Sequence, residues 1–301
     1  MTAALARDGL VLRPLVDKEP EWTRWLGPVI SLTLLGGVLR EFTRFEVRAD
    51  SHLFAAGTAF WVLFVAYYLA TPLWEWLIYR RLWRLPPDGI LALIRKEIAN
   101  ELLLGYLGEV YFYGWARQRA ALTTAPFGAI KDVAILSAAT GNLITLAMLP
   151  LGAALIGNLP PGIDPFALKI SIGAFLVTTL APIAFRSRLF SLPNDALRDV
   201  ALLQAGRVAV TMGLYAALWH LLLPQVAVGW WLALAALRQL VGRLPLAPSK
   251  DVLFAAIAGF FVGRHSEIAA LLALFGSVTM LFHVTLGSIL GATGMFERRS
   301  R

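Results

Sequence analysis

The segment from Ser51 to Trp74, SHLFAAGTAFWVLFVAYYLATPLW, gives the clearest indication of how this protein folds. It contains no Asp, Glu, Lys or Arg. A helix of about 20 apolar residues, rising about 1.5 Å per residue, crosses the roughly 30 Å hydrocarbon core of a bilayer. The stretch therefore predicts a membrane-spanning helix.

The composition of the whole chain agrees with a membrane protein. Of its 301 residues, 58% are hydrophobic and 15% are charged, whereas a soluble domain carries about 25% charged residues. This balance argues against a soluble enzyme, a disordered chain and a nucleic-acid binder, despite the net charge of +8. In so apolar a chain, a basic excess indicates loops on the cytoplasmic side. Cysteine is absent, which excludes disulfides and thiolate metal sites.

Further charge-free stretches bring the expected number of full spans to about six. One of them, Val208 to Leu237, is divided by Pro224. The others are Trp25 to Leu39, Val133 to Ile163, Ile170 to Phe185 (extended back over Pro165 to Leu168) and Ile268 to Phe296. Residues 1–21 form a polar N-terminal tail, so the prediction is a single membrane domain over residues 22–301.

Two further stretches are helical in pattern but too polar or too broken for a simple span. Ile90 to Gln118 carries several charges and is interrupted at Gly105 and Gly108. Val226 to Val262 is interrupted by two prolines and two charged residues, Pro245, Pro248, Lys250 and Asp251. Each stretch predicts two arms of about 10–18 residues, which reach about halfway across a bilayer. Such re-entrant hairpins are tolerated where they are buried in protein or line a wet cavity.

The positive-inside rule orients these segments with both termini in the cytoplasm. In that orientation most arginine clusters fall inside: Arg80, Arg81, Arg84, Arg117, Arg119, Arg186, Arg188, Arg198, Arg298, Arg299 and Arg301. The loop from Gly157 to Phe166 has no Lys or Arg, as an outside loop should. The loop with Arg40, Arg44 and Arg48 is an exception to the rule.

Each half of the chain then has the order span, span, broken hairpin, span. Three full crossings are an odd number, so the second half is inverted relative to the first, as in many transporters. A shift of 142 residues places Glu109 on Asp251 and Lys96 on Arg238. The predicted fold is an all-α, polytopic membrane bundle of two inverted repeats, each with a re-entrant hairpin. The repeats cover residues 22–157 and 165–296.

The two hairpin segments also carry motifs of a known family. The first has Asn100, then Leu107-Gly108-Glu109-Val110, then Arg117-Gln118-Arg119; the second is Leu244-Pro245-Leu246-Ala247-Pro248. In these motifs the chain resembles the membrane domain of lysylphosphatidylglycerol synthases and their stand-alone YbhN-like relatives, over roughly Phe60 to Gly291. Ser249, Lys250 and Asp251 stand where that family has glycines and a glutamate.

The resemblance implies a polytopic helical fold and movement of a lipid head group between leaflets. Aminoacylation of lipid in that family belongs to an attached soluble domain. Because this sequence contains no such domain, aminoacyl transfer is not expected.

Two carboxylates are the first candidates for chemistry. Glu109 and Asp251 each follow a hairpin breaker, which places them near the bilayer midplane. An ionised carboxylate there is costly unless it is paired or wet, so a role in proton coupling or head-group contact is expected. The structural alternative is that each carboxylate caps the N-terminus of the following arm.

The basic candidates would bind an anionic head group, because arginine holds phosphate through two hydrogen bonds. Lys250 and Arg243 lie inside the second broken segment, where function is favoured. Arg117 lies at the end of the first broken segment, where a solvated helix end is the simpler interpretation. Arg207 precedes a charge-free stretch and is expected at the interface. Further basic candidates are Arg238, Arg119 and Lys131.

Three polar residues and two histidines complete the set. Lys131 and Asp132 precede an apolar run, and as adjacent helical residues they are expected to need separate partners. Asn100 is expected either to orient the hairpin tip by hydrogen bonding or to lie on a polar face. His220 and His283 lack a second ligand at metal spacing, so packed, hydrogen-bonded histidines are expected, with no metal and no cofactor.

The sequence thus favours an inner-membrane transporter or flippase for an amphipathic lipid with a polar, anionic head group. Glu109, Asp251, Lys250, Arg243, Asn100, Arg117, Lys131 and Asp132 are its expected substrate-binding or coupling residues. One alternative is a membrane-embedded transferase for a lipid-linked substrate, with Glu109 or Asp251 as general base. Another is a non-catalytic membrane partner of a glycosyltransferase or synthase.

Overall fold

The structure is a computed structural model that describes residues 57–102, 107–119, 127–156, 165–242, 250–262 and 267–299. The polar tail and the predicted span from Trp25 to Leu39 lie outside these residues. Arg243 does so as well. All regular structure in the described part is helical. The helices are α1 (Gly57–Trp83), α2 (Gly89–Leu102), α3 (Leu107–Arg119), α4 (Phe127–Ile156), α5 (Pro165–Ala184), α6 (Arg186–Leu189), α7 (Asn194–Leu222), α8 (Val228–Val241), α9 (Lys250–Val262) and α10 (Glu267–Arg299).

Four of these helices contain a segment long and apolar enough to cross a membrane, which suggests an integral membrane protein. The segments are Gly57–Trp83, Phe127–Leu151, Asn194–Leu222 and Glu267–Gly291, in α1, α4, α7 and α10. The helical membrane bundle expected from the sequence is therefore confirmed at this level. The predicted span at residues 165–185 is also a helix, α5, of 20 residues.

The two broken stretches form two helices each, as predicted. The first gives α2 and α3, of 14 and 13 residues. The second gives α8 and α9, again of 14 and 13 residues. Within each stretch the two helices pack against each other. Four short helices thus lie among the longer ones.

Polar contacts show which helix ends lie together. At one end of the bundle, Arg81 in α1 lies 3.7 Å from Asp199 in α7. Asp132 in α4 accepts hydrogen bonds of 2.6 Å and 2.7 Å from the backbone N–H groups of Ser191 and Leu192, just before α7. The end of α1 and the beginnings of α4 and α7 are therefore neighbours.

The other end brings together the loop between α7 and α8 and the beginning of α10. Gln225 in that loop donates a 3.2 Å hydrogen bond to Glu267, the first residue of α10. The two ends of the bundle are thus defined by side chains far apart in sequence.

A buried aromatic cluster fills the space between α1, α7, α8, α9 and α10. Trp219 is fully buried at its centre. Its ring centroid lies 5.7 Å from that of Phe254, 5.0 Å from Tyr215 and 6.0 Å from Phe275. Aromatic pairs at such distances add to the stability that burial provides. The cluster fixes the positions of the helices that carry the charged groups described below.

The position of Arg207 differs from the prediction. The helix α7 already begins at Asn194, so Arg207 lies in the helix interior and not at its interfacial end. The first turns of α7 contain Asp195, Arg198 and Asp199, so a search for charge-free windows starts the helix too late.

Candidate functional site

A polar cavity of about 180 Å³ lies among the helices. Every described helix except α5 and α6 contributes to its lining. One water needs about 10–15 Å³ of such volume, so the cavity has room for about a dozen waters or one polar head group. Five carboxylates line it: Glu75, Glu97, Glu101, Glu109 and Asp251. Four cationic side chains do so as well: Lys96, Arg207, Arg238 and Lys250.

Lys96 holds two of these carboxylates. Its ammonium lies 2.7 Å from both carboxylate oxygens of Glu75 in α1 and 3.3 Å from Glu109 in α3. Lys96 is 4% exposed. Removing a charge from water is costly, and close pairing with two carboxylates offsets that cost. The three residues tie α1, α2 and α3 together at one wall of the cavity.

Arg238 and Asp251 form a second buried pair. The guanidinium Nε of Arg238 in α8 donates to Asp251 in the first turn of α9. The Tyr215 hydroxyl donates a 3.4 Å hydrogen bond to the same carboxylate oxygen of Asp251. The hydroxyls of Tyr67 and Tyr215 are 2.6 Å apart. Asp251 therefore ends a hydrogen-bonded chain that runs from α1 through α7 to α9.

A third ion pair joins the two broken stretches. The Lys250 ammonium, at the beginning of α9, lies 3.6 Å from Glu101, near the end of α2. Both side chains are largely buried, with exposed fractions of 10% and 13%. This contact connects residues that are separated by about half of the chain.

Asn100 orients the beginning of α3, one of the two roles predicted for it. Its side-chain oxygen accepts a 2.8 Å hydrogen bond from the Gly108 N–H, and its side-chain nitrogen donates to Glu109 at 3.2 Å. A Cβ atom on Gly108 would lie 2.1 Å from the Lys96 carbonyl oxygen. Only glycine permits this close approach of α3 to α2.

Of the expected site residues, Glu109, Asp251, Lys250 and Asn100 line the cavity. Lys131, Asp132 and Arg117 do not, and Arg117 is exposed. Arg243 lies outside the described residues. The structure therefore brings together, in one cavity, half of the residues that the sequence predicted as substrate-binding or coupling residues.

Lys131 and Asp132 instead fasten the beginning of α4 to the segment before α7. Lys131 donates to the Leu189 carbonyl, and Asp132 accepts the two backbone hydrogen bonds given above. Each residue thus has a partner of its own, as expected, and the Lys131 ammonium also lies 3.0 Å from an Asp132 carboxylate oxygen.

Sequence reasoning missed Glu75 and Glu97 and placed Arg207 wrongly. Glu75 comes directly after the charge-free stretch that ends at Trp74, so it resembles the end of a span. The helix α1 continues to Trp83, which puts Glu75 in its interior. A carboxylate followed by more helical residues is the signal that could have identified it.

The two histidines make the hydrogen bonds expected of packed side chains. His283 lines the cavity, and its Nδ1 lies 2.8 Å from the Thr279 carbonyl oxygen. His220 Nδ1 lies 3.2 Å from the Val226 carbonyl oxygen. Among the described residues, no group of three or more His, Asp or Glu side chains is placed to hold a metal ion.

Comparisons of the chain with family models, with characterised proteins and with solved structures found no match. The resemblance to the membrane domain of lysylphosphatidylglycerol synthases therefore stays a prediction that rests on the hairpin motifs.

Proposed function

We propose that this protein is an inner-membrane transporter that moves an amphipathic lipid between leaflets. The observation that carries the proposal is the cavity lined by five carboxylates and four Lys and Arg side chains within a bundle of apolar helices. Charged side chains inside a membrane protein are costly and mark substrate or ion pathways. The polar head group would cross through this cavity while the acyl chains stay in the bilayer.

The arrangement of the short helices supports re-entrant hairpins. Helix α2 begins next to the end of α1, where Trp76 donates to the Pro86 carbonyl at 3.1 Å. Helix α3 ends near the beginning of α4, where the rings of Tyr113 and Phe127 are 6.2 Å apart. Both ends of the first hairpin are thus at the same end of the bundle. The second begins and ends at the opposite end, and the pair of Lys250 with Glu101 joins the tips.

Two matched ion pairs support inverted repeats. Lys96 pairs with Glu109 in the first hairpin, and Arg238 pairs with Asp251 in the second. The shift of 142 residues that relates Lys96 to Arg238 also relates Glu109 to Asp251. Repeats of this kind place substrate sites at their interface, near the midplane.

The exposed arginines support an orientation. At the end shared by α1, α4 and α7, the exposed arginines are Arg80, Arg81, Arg84, Arg186, Arg188 and Arg198. The cytoplasmic loops of membrane proteins carry an excess of lysine and arginine. We place this end, where α10 also ends, in the cytoplasm. This is the orientation that the sequence predicts, in which the span from Trp25 to Leu39 brings the N-terminus to the same side.

The test is a translocation assay in liposomes that contain the purified protein. A phospholipid with a fluorophore on one acyl chain is quenched from outside, and the rate at which inner-leaflet lipid becomes accessible is measured. The double variant Asp251→Asn, Arg238→Gln removes a buried pair without leaving a lone charge. We expect it to lose translocation at least about tenfold while unfolding at a temperature close to that of the wild type.

The control variant Arg117→Gln changes an exposed residue outside the cavity and should translocate at the wild-type rate. A wild-type rate equal to that of protein-free liposomes would overturn the proposal. So would a wild-type rate in the double variant.

A further inference from the structure

The cavity does not present a simple positive surface to a head group. Lys96 is shared by two carboxylates, so that cluster carries a net negative charge. The pairs Arg238–Asp251 and Lys250–Glu101 are each neutral. Of the carboxylates and the Lys and Arg side chains in the lining, Glu97 and Arg207 then remain.

Glu97 is a carboxylate without a cationic partner in the described part of the chain. It is half-buried in α2 and lines the cavity. The nearby cations, Lys96 and Lys250, are engaged by other carboxylates, and Glu75 and Glu101 add negative charge beside it. A partly buried carboxylate in this setting favours a positively charged ligand.

Arg207 is a cation without a carboxylate partner in the described part of the chain. Its guanidinium donates to the Gln204 side-chain oxygen at 2.8 Å and to the Ser137 hydroxyl at 2.9 Å. Both partners are neutral, and no carboxylate of the described residues lies within ion-pair distance. A guanidinium has five N–H donors, so these two hydrogen bonds leave others for a phosphate.

Taken together, these charges lead us to propose that the cavity binds a head group that carries both a primary amine and a phosphate. Glu97 receives the ammonium and Arg207 receives the phosphate. The inference rests on the proposed function and deepens it, because the sequence favoured a polar, anionic head group without naming a further group on it. Five carboxylates against four cations give the lining a small negative excess, which opposes a ligand with negative charge alone.

The size of the cavity agrees with this ligand. A volume of about 180 Å³ accommodates a phosphoethanolamine group but not two acyl chains.

The experiment measures binding of three short-chain phospholipids to the purified protein in detergent. Phosphatidylethanolamine has the primary amine, phosphatidylcholine has a quaternary ammonium without N–H donors, and phosphatidylglycerol has no amine. We expect phosphatidylethanolamine to bind about tenfold more tightly than phosphatidylglycerol, equivalent to about 1.4 kcal/mol. Free O-phosphoethanolamine, tested alongside, should bind more weakly than the lipid.

The variants separate the two contacts. Glu97→Gln breaks no ion pair and should abolish the preference for phosphatidylethanolamine. Arg207→Gln should weaken the binding of all three lipids by a similar factor, since all three carry the phosphate. Arg117→Gln is the control and should leave every affinity unchanged.

The results distinguish failure of this inference from failure of the proposed function. Translocation by the wild type without preference for the amine would overturn the head-group assignment and leave the transporter. Preferential binding that Glu97→Gln abolishes, without translocation, would keep the site and overturn the transporter. Free O-phosphoethanolamine that binds as tightly as the lipid would overturn a lipid as the source of the ligand.

Discussion

The Lys96 ammonium lies 3.3 Å from the Glu109 carboxylate, and this contact between the two helices of the first broken stretch recurs as Arg238 with Asp251 in the second. In both pairs the cation comes from the first short helix and the carboxylate from the first turn of the second. The cation and the carboxylate are the same number of residues apart in both pairs. This agreement strengthens the correspondence between the two stretches that the shift of 142 residues gives. The ion pairs also predict how the protein responds to substitution.

Replacing Lys96 with methionine should destabilise the protein strongly. The change leaves the carboxylates of Glu75 and Glu109 buried without their shared cation, and breaking one side of a buried ion pair costs about 3–5 kcal/mol. Chemical unfolding in mild detergent measures the loss. The triple variant Lys96→Met, Glu75→Gln, Glu109→Gln leaves no lone charge and should recover most of the stability. An unchanged unfolding midpoint in Lys96→Met would contradict the pairing.

Gly108→Ala should weaken the packing of α3 on α2. The added Cβ would lie 2.1 Å from the Lys96 carbonyl oxygen and 2.7 Å from the Asn100 side-chain oxygen. A backbone atom cannot move aside easily, so we expect a loss of about 1–3 kcal/mol in the free energy of unfolding.

Gly114→Ala provides a matched control in the same helix. A Cβ there meets nothing within 4 Å, so alanine should stabilise the helix by about 0.5–1 kcal/mol. Thermal unfolding of both variants in one detergent checks the difference. Shifts of the same sign and size would show that the close approach at Gly108 is wrong.

A double cysteine variant tests whether the two broken stretches meet. The chain has no cysteine, so Glu101→Cys with Lys250→Cys introduces a unique thiol pair where the two side chains are 3.6 Å apart. A short bifunctional thiol reagent should link them, and mass spectrometry of the digested protein detects the product. Arg117→Cys with Lys250→Cys is the control pair. Equal yields from both pairs would count against contact between the tips.

The sidedness of the bundle can be tested with single cysteines. Arg188→Cys lies at the arginine-rich end, and Gln225→Cys lies at the other, beside the beginning of α10. A membrane-impermeant maleimide applied to intact cells should label the cysteine at position 225, and the one at position 188 only after permeabilisation. The reverse pattern would invert the proposed orientation, because the arginines would then face outside.

Much of the helix plan follows from local sequence. Charge-free stretches of about span length predict α1, α4 and α10 because apolar side chains favour the bilayer interior. The breakers in the two polar stretches predict pairs of short helices, and α2, α3, α8 and α9 have the expected lengths. The beginning of α7 was predicted too late, since its first turns are polar.

The candidate site was predictable only in part. Glu109, Asp251, Lys250 and Asn100 stand out because they are polar residues beside breakers in an apolar chain. Glu75 and Arg207 do not stand out, since each adjoins a charge-free stretch and resembles its interfacial end. Lys131 and Asp132 have the expected residue types but bind the end of α6 and the segment that follows it.

The sequence by itself determined that this is a helical membrane protein with two broken segments, because hydropathy and chain breakers act over a few turns of helix. Only the tertiary structure decided which charges share one cavity. Glu75, Lys96 and Glu109 meet because three helices pack together, and Glu101 meets Lys250 because the end of α2 lies beside the beginning of α9. Those distances depend on packing between residues far apart along the chain. The pairing that leaves Glu97 and Arg207 without an ion-pair partner among the described residues therefore appears only in the folded protein.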